Sequence, residues 1–277
     1  FIKIGRINNV MFNIPLLSDR EFKAIRKLVY EKSGIALGDE KKSLVQSRLG
    51  KLLRKRGITS FNQYPQKVIN DSTGEELTEL INAISTNFTH FFREKEHFEF
   101  LKNVIIPTCN HKKIIKIWSA GCSSGEEPYS IAITLFEAIK DIKRWQVKIL
   151  ATDISTQVLK KAMDGIYKKE QLVTLSKTLL FKYFEKRQGY YQIRPEIKGL
   201  IKFKKLNLLD PFSFNTQFNV IFCRNVMIYF DKQTKEQLVN RLYDYVMPGG
   251  YLFVGHAESL MGLKHKFRYV KPAIYQK

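Results

Sequence analysis

Cysteine is scarce. Cys109, Cys122 and Cys223 lie far apart in the 277 residues and form no CxxC pair. So sparse and odd a set excludes a disulfide framework and favours reduced thiols in a cytoplasm. It also leaves no zinc-ribbon pattern, and the five histidines show no ligand spacing, so no metal is expected. His90 and His97, two helical turns apart, read as surface or packing residues. Long apolar runs are missing too. The best one, NVIFCRNVMIYF, is broken by Arg224 and Asn225 and is too short to span a bilayer. No secretory signal is visible, and a start at Phe1 instead of methionine fits a trimmed terminus. The phosphate-binding patterns GxGxxG and GxxxxGK[ST] are absent. Acid is short as well, with 26 Asp and Glu against 47 Lys and Arg and a net charge of +21. Residues 1–85 hold 15 basic and 9 acidic side chains, and the rest hold 32 and 17. Such a field favours an acidic partner: nucleic acid, anionic lipid or an acidic protein surface.

What is present falls into two textures. Residues 15–85 form a string of helices with no strand pattern. SDREFKAIRKLVYEKSG carries a capping box, Ser18 with Glu21, and a stop at Gly34. GDEKKSLVQSRLGKLLRKRG follows with an apolar stripe through Leu44, Leu49, Leu52 and Leu53. Its other face bears Lys41, Lys42, Arg48, Lys51, Arg54, Lys55 and Arg56, with no acid after Glu40. TGEELTELINAIS is a third helix. From residue 86 a second domain extends to 277. Apolar runs (IIKIW, VKILATD, IKFKKLNLL, FNVIFCRN, YLFVGHAE, FRYVKPAIYQ) alternate there with helical segments, the pattern of an α/β parallel sheet covered on both faces. Residues 165–205 are less regular, and GYYQIRPEIKGLIKF suits a small antiparallel insert.

In such a sheet, ligands sit beyond the carboxyl ends of the strands. Four features fall there: the loop AGCSSGEE, Asp153, Asn207 with Leu208, and Arg224-Asn225-Val226. Gly121 and Gly125 allow close backbone approach. Glu126 and Glu127 would repel a pyrophosphate but suit a cationic nucleoside such as S-adenosylmethionine. Either glutamate alternatively serves as a helix-start acid facing the macrodipole. An acid in the place of Asp153 commonly accepts from ribose hydroxyls. Cys122 has no paired base and reads as a small loop residue.

The ordered set STNFTHFFRE, WSAGCSSGEEPYSIAI, ATDIS, LNLLD, FCRNVMIYFD and GGYLFVGHAESL resembles the CheR family of chemotaxis receptor methyltransferases over nearly the whole chain. The resemblance implies a Rossmann-like class I methyltransferase sheet with a small all-helical N-terminal domain and a small antiparallel insert. It implies methyl transfer from S-adenosylmethionine to receptor glutamates, yielding S-adenosylhomocysteine and glutamate methyl esters, without a metal. Asn87, Thr89 and Arg93 would line the cofactor site, with Glu127, Asp153, Asn207, Leu208, Asn225 and Val226 completing it. Arg93 would also orient the substrate carboxylate, and Tyr229 would lie near the transferred methyl. Lys51, Arg54, Lys55 and Arg56 would dock an acidic helical bundle. In some members the insert holds a short peptide at the receptor's C-terminus; here its counterpart, around KRQGYYQIRPEIKG, is compact at the tip. A cytoplasmic monomer recruited to receptor arrays is expected. Two other readings stay open. A nucleic-acid methyltransferase would need stacking aromatics, and Phe88, Phe91 and Phe92 read instead as packing residues in a helical setting. A non-catalytic cofactor-binding adaptor would bind without turnover.

Overall fold

The computed structural model describes residues 16–85 and 88–277. They form two compact units, one of residues 16–32 and 36–85, the other of 33–35 and 88–277. Among the described residues no helix is long and apolar enough to cross a membrane.

The first unit holds helices α1 (Asp19–Ser33), α2 (Lys42–Lys55), α3 (Gln63–Asn70) and α4 (Glu75–Ile84). The capping box at Ser18 forms as expected. Ser18 N–H donates to Glu21 Oε2 at 2.9 Å, and Glu21 N–H returns to Ser18 Oγ at 3.3 Å. Gly34 follows α1 at φ +71°, a left-handed position that glycine takes without a Cβ clash. The short helix α3 escapes the sequence pattern because it has only eight residues and carries Pro65 near its start. The stripe of α2 is also rotated slightly from expectation. Val45, Leu49, Leu52 and Leu53 are buried, whereas Leu44 is only half-buried.

The basic face of α2 is less uniformly solvated than the sequence suggests. Lys42 meets Asp19 at 2.6 Å, and Arg56 pairs with Glu76. Arg48 donates to the carbonyls of Ile84 and Ser85 at 3.2 and 2.9 Å, closing the end of α4. Lys51, Arg54 and Lys55 remain exposed and make no ion pair among the described residues.

The second unit opens with α5 (Lys95–Phe100), a π-turn (Leu101–Ile105) and α6 (Ile106–Cys109). Residues 88–90 are irregular and 91–94 form turns and bends before these helices, correcting the helical setting expected for Phe88, Phe91 and Phe92. The cause is visible in the backbone: Phe92 and Glu94 take φ of +54° and +56°, which no helix accommodates. Phe91 is fully buried between Tyr167 and Phe184, while Phe88 is exposed.

The chain then runs through β1 (Ile114–Ala120), α7 (Glu126–Ala138), β2 (Gln146–Asp153), α8 (Thr156–Asp164), β3 (Ile166–Tyr167), α9 (Lys177–Tyr183), β4 (Phe184–Arg187), β5 (Tyr190–Ile193), α10 (Pro195–Lys198) and β6 (Ile201–Lys205). It ends with β7 (Phe218–Cys223), α11 (Lys232–Tyr245), β8 (Val246–Val254), β9 (Arg268–Lys271) and β10 (Ile274–Gln276). The main sheet has the order β6-β2-β1-β7-β8-β10-β9. Its first five strands are parallel, and β10 and β9 add antiparallel. The closing run FRYVKPAIYQ is therefore a hairpin, turned at Ala273 with φ +61°. The insert is a separate sheet of order β3-β5-β4. It stops before residue 201, because β6 pairs with β2 in the main sheet.

Helices cover the sheet for the reason the sequence gives, since β1 and β7 are almost wholly apolar and central. Trp118, fully buried, donates Nε1–H to Thr152 Oγ1 at 2.9 Å and so ties β1 to β2.

The rotated stripe of α2 can be checked by equilibrium urea unfolding. Leu49→Ala is expected to cost about 2–5 kcal/mol as a buried leucine truncation, and Leu44→Ala clearly less. Equal losses would contradict the packing described.

Candidate active site

The loop after β1 is built by backbone bonds to the end of β2. Gly121 and Cys122 both donate N–H to Thr152 O, at 2.8 and 2.9 Å. Ser123, held at φ +48°, donates to Asp153 Oδ2 at 2.9 Å. Asp153 Oδ1 accepts from Ser155 N–H at 2.9 Å, so one carboxylate fixes two loops. Burial pushes the Asp153 carboxyl up, and these backbone donors oppose it. Gly121 has φ +89°, and a Cβ there would lie 2.4 Å from Val226 Cγ2. The loops after β1 and β7 thus touch where a side chain has been left out.

The two glutamates that start α7 separate. Glu126 is buried and accepts from Ser124 Oγ at 2.8 Å. Glu127 turns toward β7. It accepts from Ser119 Oγ at 2.7 Å and from Arg224 Nη1 at 3.1 Å, and its side chain is 13% exposed. Burial raises both carboxyls, and for Glu127 the Arg224 charge pulls the other way. Cys122 is buried beside Asp153 and Glu127, and burial with these charges drives its thiol well above the ordinary range, which removes it as a nucleophile.

At the end of β7, Arg224 is the feature that the sequence did not single out for a role. Its side chain is 1% exposed. It pairs with Glu94 Oε2 through Nε at 3.2 Å and Nη2 at 3.0 Å, and Nη2 also donates to the carbonyl of Arg93. Phe98 lies under the guanidinium, 5.6 Å from ring centroid to Cζ. The next residue, Asn225, stands at φ +58°, and its N–H donates to Glu258 Oε2 at 2.6 Å. Glu258 also accepts from Gly255 and Ile228 N–H at 2.7 and 3.0 Å, binding the loops after β7 and β8 together. The sequence marks Arg224 at the end of a strand, but only long-range partners reveal what it and Glu258 hold.

The remaining expected residues are placed as follows. Arg93 is half-buried on the turn before α5 and donates to Phe88 O at 3.0 Å. Thr89 is half-buried on the same segment, and Asn87 lies outside the described residues. Asn207 accepts from Leu209 N–H at 3.2 Å and donates to Asp210 Oδ1 at 3.2 Å, shaping the loop after β6. Leu208 is buried, and its carbonyl accepts from Arg241 at 3.0 Å. Tyr229 is half-buried on a 3₁₀ turn (Met227–Tyr229) and packs against the core beside β7 and β8. The docking candidates of α2 belong to the first unit.

Glu94, His97 and His256 bring three ligating atoms within 4.8 Å of one another. Residues 94 and 97 meet residue 256 only through the fold, so ligand spacing along the chain could not show this. Arg224 sets a full positive charge 3.0 Å from the Glu94 carboxylate and so opposes a cation there. His97 is fully buried, stacked on Phe253 at 5.0 Å, and neither ring nitrogen has a hydrogen-bond partner among the described residues. Burial and the neighbouring Arg224 lower its pKa to about 3.

Residues 87–275 match the family described as "CheR methyltransferase, SAM binding domain", and residues 20–85 match "CheR methyltransferase, all-alpha domain". The chemotaxis protein methyltransferase of Borreliella burgdorferi is 44% identical over 98% of this chain and 98% of its own length. Those of Salmonella typhimurium and Escherichia coli are 39% and 38% identical, each over 94% of this chain and 90% and 91% of theirs.

The neutral His97 makes stability depend on pH in a definite direction. Between about pH 6.5, where the unfolded imidazole titrates, and about pH 3 in the folded state, the unfolded chain binds the extra proton. Stability should therefore fall on acidification through that window. Between pH 7 and pH 5 the loss from this group is about 1–2 kcal/mol. Urea titrations at both pH values should show a smaller drop for His97→Phe, which keeps the ring stack. An equal drop would mean that His97 is not held neutral.

Proposed function

The chain belongs to the CheR methyltransferase family, and from that premise we propose that it methylates glutamate side chains of chemoreceptors, forming methyl esters with S-adenosylmethionine as donor. The observation that carries this reading is the charge of the loop at the sheet's carboxyl edge. Glu127 and Asp153 face a glycine turn that offers no lysine or arginine of its own. A phosphate-bearing cofactor would be repelled, whereas a sulfonium and an ammonium are favoured. The two glycines, at φ +89° and +99°, let the turn close on Val226 and on Ala162 with Tyr167, which holds the loop at the strand ends. The donor set therefore fits the cofactor.

When bound, S-adenosylmethionine supplies an activated methyl group. Asp153 would accept from its ribose hydroxyls with the lone pairs not used by Ser123 and Ser155. Glu127, with Ser119 and Arg224 behind it, would face the positive end. Glu126 is a poorer candidate because it is buried on Ser124. Thr89, Asn87, Asn207, Leu208, Asn225 and Val226 would complete the pocket. A substrate glutamate is already ionised near neutral pH, so no general base is required. Arg93 would orient that carboxylate through a charge-assisted pair, and Tyr229 would close the site beside the reacting atoms. In-line placement and exclusion of water would carry the rate.

Receptor docking is assigned to the exposed cations Lys51, Arg54 and Lys55 of α2. Arg56 shares its charge with Glu76 and Glu79, which weakens its claim. Rim charges of this kind act on encounter rate and register, and salt screens them.

Incubation with methyl-labelled S-adenosylmethionine and chemoreceptor-bearing membranes tests the function. Label should enter receptor protein as a base-labile ester; label in RNA, or cofactor binding without turnover, would overturn it. Asp153→Ala should weaken cofactor binding by about 1–3 kcal/mol, the usual consequence of leaving buried hydroxyls unpaired. Calorimetry showing unchanged affinity would remove Asp153 from the pocket. Reversal of Lys51, Arg54 and Lys55 to glutamate should raise the receptor KM and flatten its dependence on salt, with cofactor affinity intact. Parental receptor methylation by this triple variant at low salt would show that α2 is not the docking surface.

A further inference from the structure

Three facts meet at one buried side chain. Arg224 holds Glu94 and Glu127 with separate edges of its guanidinium, and it also donates to the carbonyl of Arg93. The turn carrying Arg93 is strained. Phe92 and Glu94, on either side, both stand at positive φ, a region that non-glycine residues avoid. Such strain persists only where surrounding bonds over-determine it. Here the bonds are Phe92 N–H to Ser130 Oγ at 2.9 Å, His256 N–H to Glu94 Oε1 at 3.1 Å, and those of Arg224. The same guanidinium also opposes the effect of burial on Glu127.

We propose that Arg224 is the positioning residue of this site, setting the Glu127 carboxylate and the Arg93 turn together. Cofactor affinity and turnover then both depend on a side chain that touches neither cofactor nor substrate. The inference rests on the reading that Glu127 faces the cofactor and Arg93 the substrate. A planar fork suits these partners better than a lysine, because the bonds leave from three separate nitrogens, whereas the three donors of an ammonium radiate from one.

Besides Arg224, the titratable groups that face Glu127 are Glu94, Cys122 and Cys223, and Ser119 donates to it. Without Arg224, burial of Glu127 goes unopposed from that side. Its carboxyl is then pushed further up than in the parent, and a protonated acid no longer attracts a cation. Cofactor affinity should therefore fall more steeply on acidification in the variant than in the parent.

The test uses the full chain. Calorimetric binding of S-adenosylhomocysteine and S-adenosylmethionine is measured at several pH values, and receptor methylation at saturating cofactor, for Arg224→Met, Arg224→Lys, Glu127→Gln and Arg224→Met/Glu127→Gln. Arg224→Met is expected to lose about tenfold or more in affinity, the lower bound for a lost charge-assisted hydrogen bond. It should lose turnover as well, and Arg224→Lys should recover only part of either. In the double variant the affinity loss should be far less than the two single losses combined, and the added pH slope should vanish. If Arg224→Met fails to fold, Arg224→Lys, with the same double-variant comparison, decides. Parental affinity and turnover in the Arg224 variants, or fully additive losses with Glu127→Gln, would overturn the inference and leave the site reading intact. If Glu127→Gln alone binds cofactor as the parent does, the site reading falls and this inference falls with it.

Discussion

A charge that cannot leave the interior constrains everything around it. Removing a guanidinium from water costs several kcal/mol, and isolated burial is not sustainable. Arg224 is offset by two carboxylates, a carbonyl and an aromatic face. The Glu94 carboxylate, the Arg93 carbonyl and the Phe98 ring come from the turn before α5 and from α5, Glu127 from the start of α7, and Arg224 itself from the end of β7. None of these can move far without stranding a charge. Burial acts to raise the Glu94 carboxyl, yet Arg224 and the His256 N–H hold it below its ordinary value. The carboxyl edge of the sheet is consequently a rigid rim even though its loops are short of regular structure.

A second carboxylate does for the backbone what Arg224 does for side chains. Glu258 gathers N–H groups from Gly255, Asn225 and Ile228, and Asp153 gathers those of Ser123 and Ser155. Ser123 and Asn225 are the two non-glycine residues at positive φ on these loops. Each strained residue is thus bonded directly to one of the carboxylates. The loops are shaped by buried acids, and the apolar core below supplies only their starting points.

Much of this could be read from the chain. The alternation of apolar runs and helices marks the parallel strands, and the capping box at Ser18 and the stop at Gly34 come from local chemistry alone. Asp153 was legible because it directly follows an apolar run. What escaped was either short or non-local. Helix α3 is too short to show a period. The closing hairpin reads as a single apolar run although Pro272 breaks it, and nothing local shows that Ala273 takes the positive φ of its turn. The Phe91 segment looks helical by composition, yet long-range bonds force positive φ on its neighbours. The partners of Arg224 lie 130 and 97 residues away, beyond any local pattern. The basic helix showed its charges but not which of them Asp19, Glu76 and the end of α4 would claim.

The three thiols have a consequence for how the molecule breathes. All are buried, Cys122 in the glycine loop, Cys223 at the end of the central strand β7 and Cys109 on α6, where Asn219 Nδ2 lies 3.4 Å from its sulfur. Burial raises each thiol above its ordinary pKa, so little thiolate forms while the fold is closed. Alkylation therefore proceeds through transient openings, and its rate measures how often each place opens. One chain thus carries three native clocks, set at the ligand loop, in the sheet and beneath the helical cover. Each runs without any engineered label.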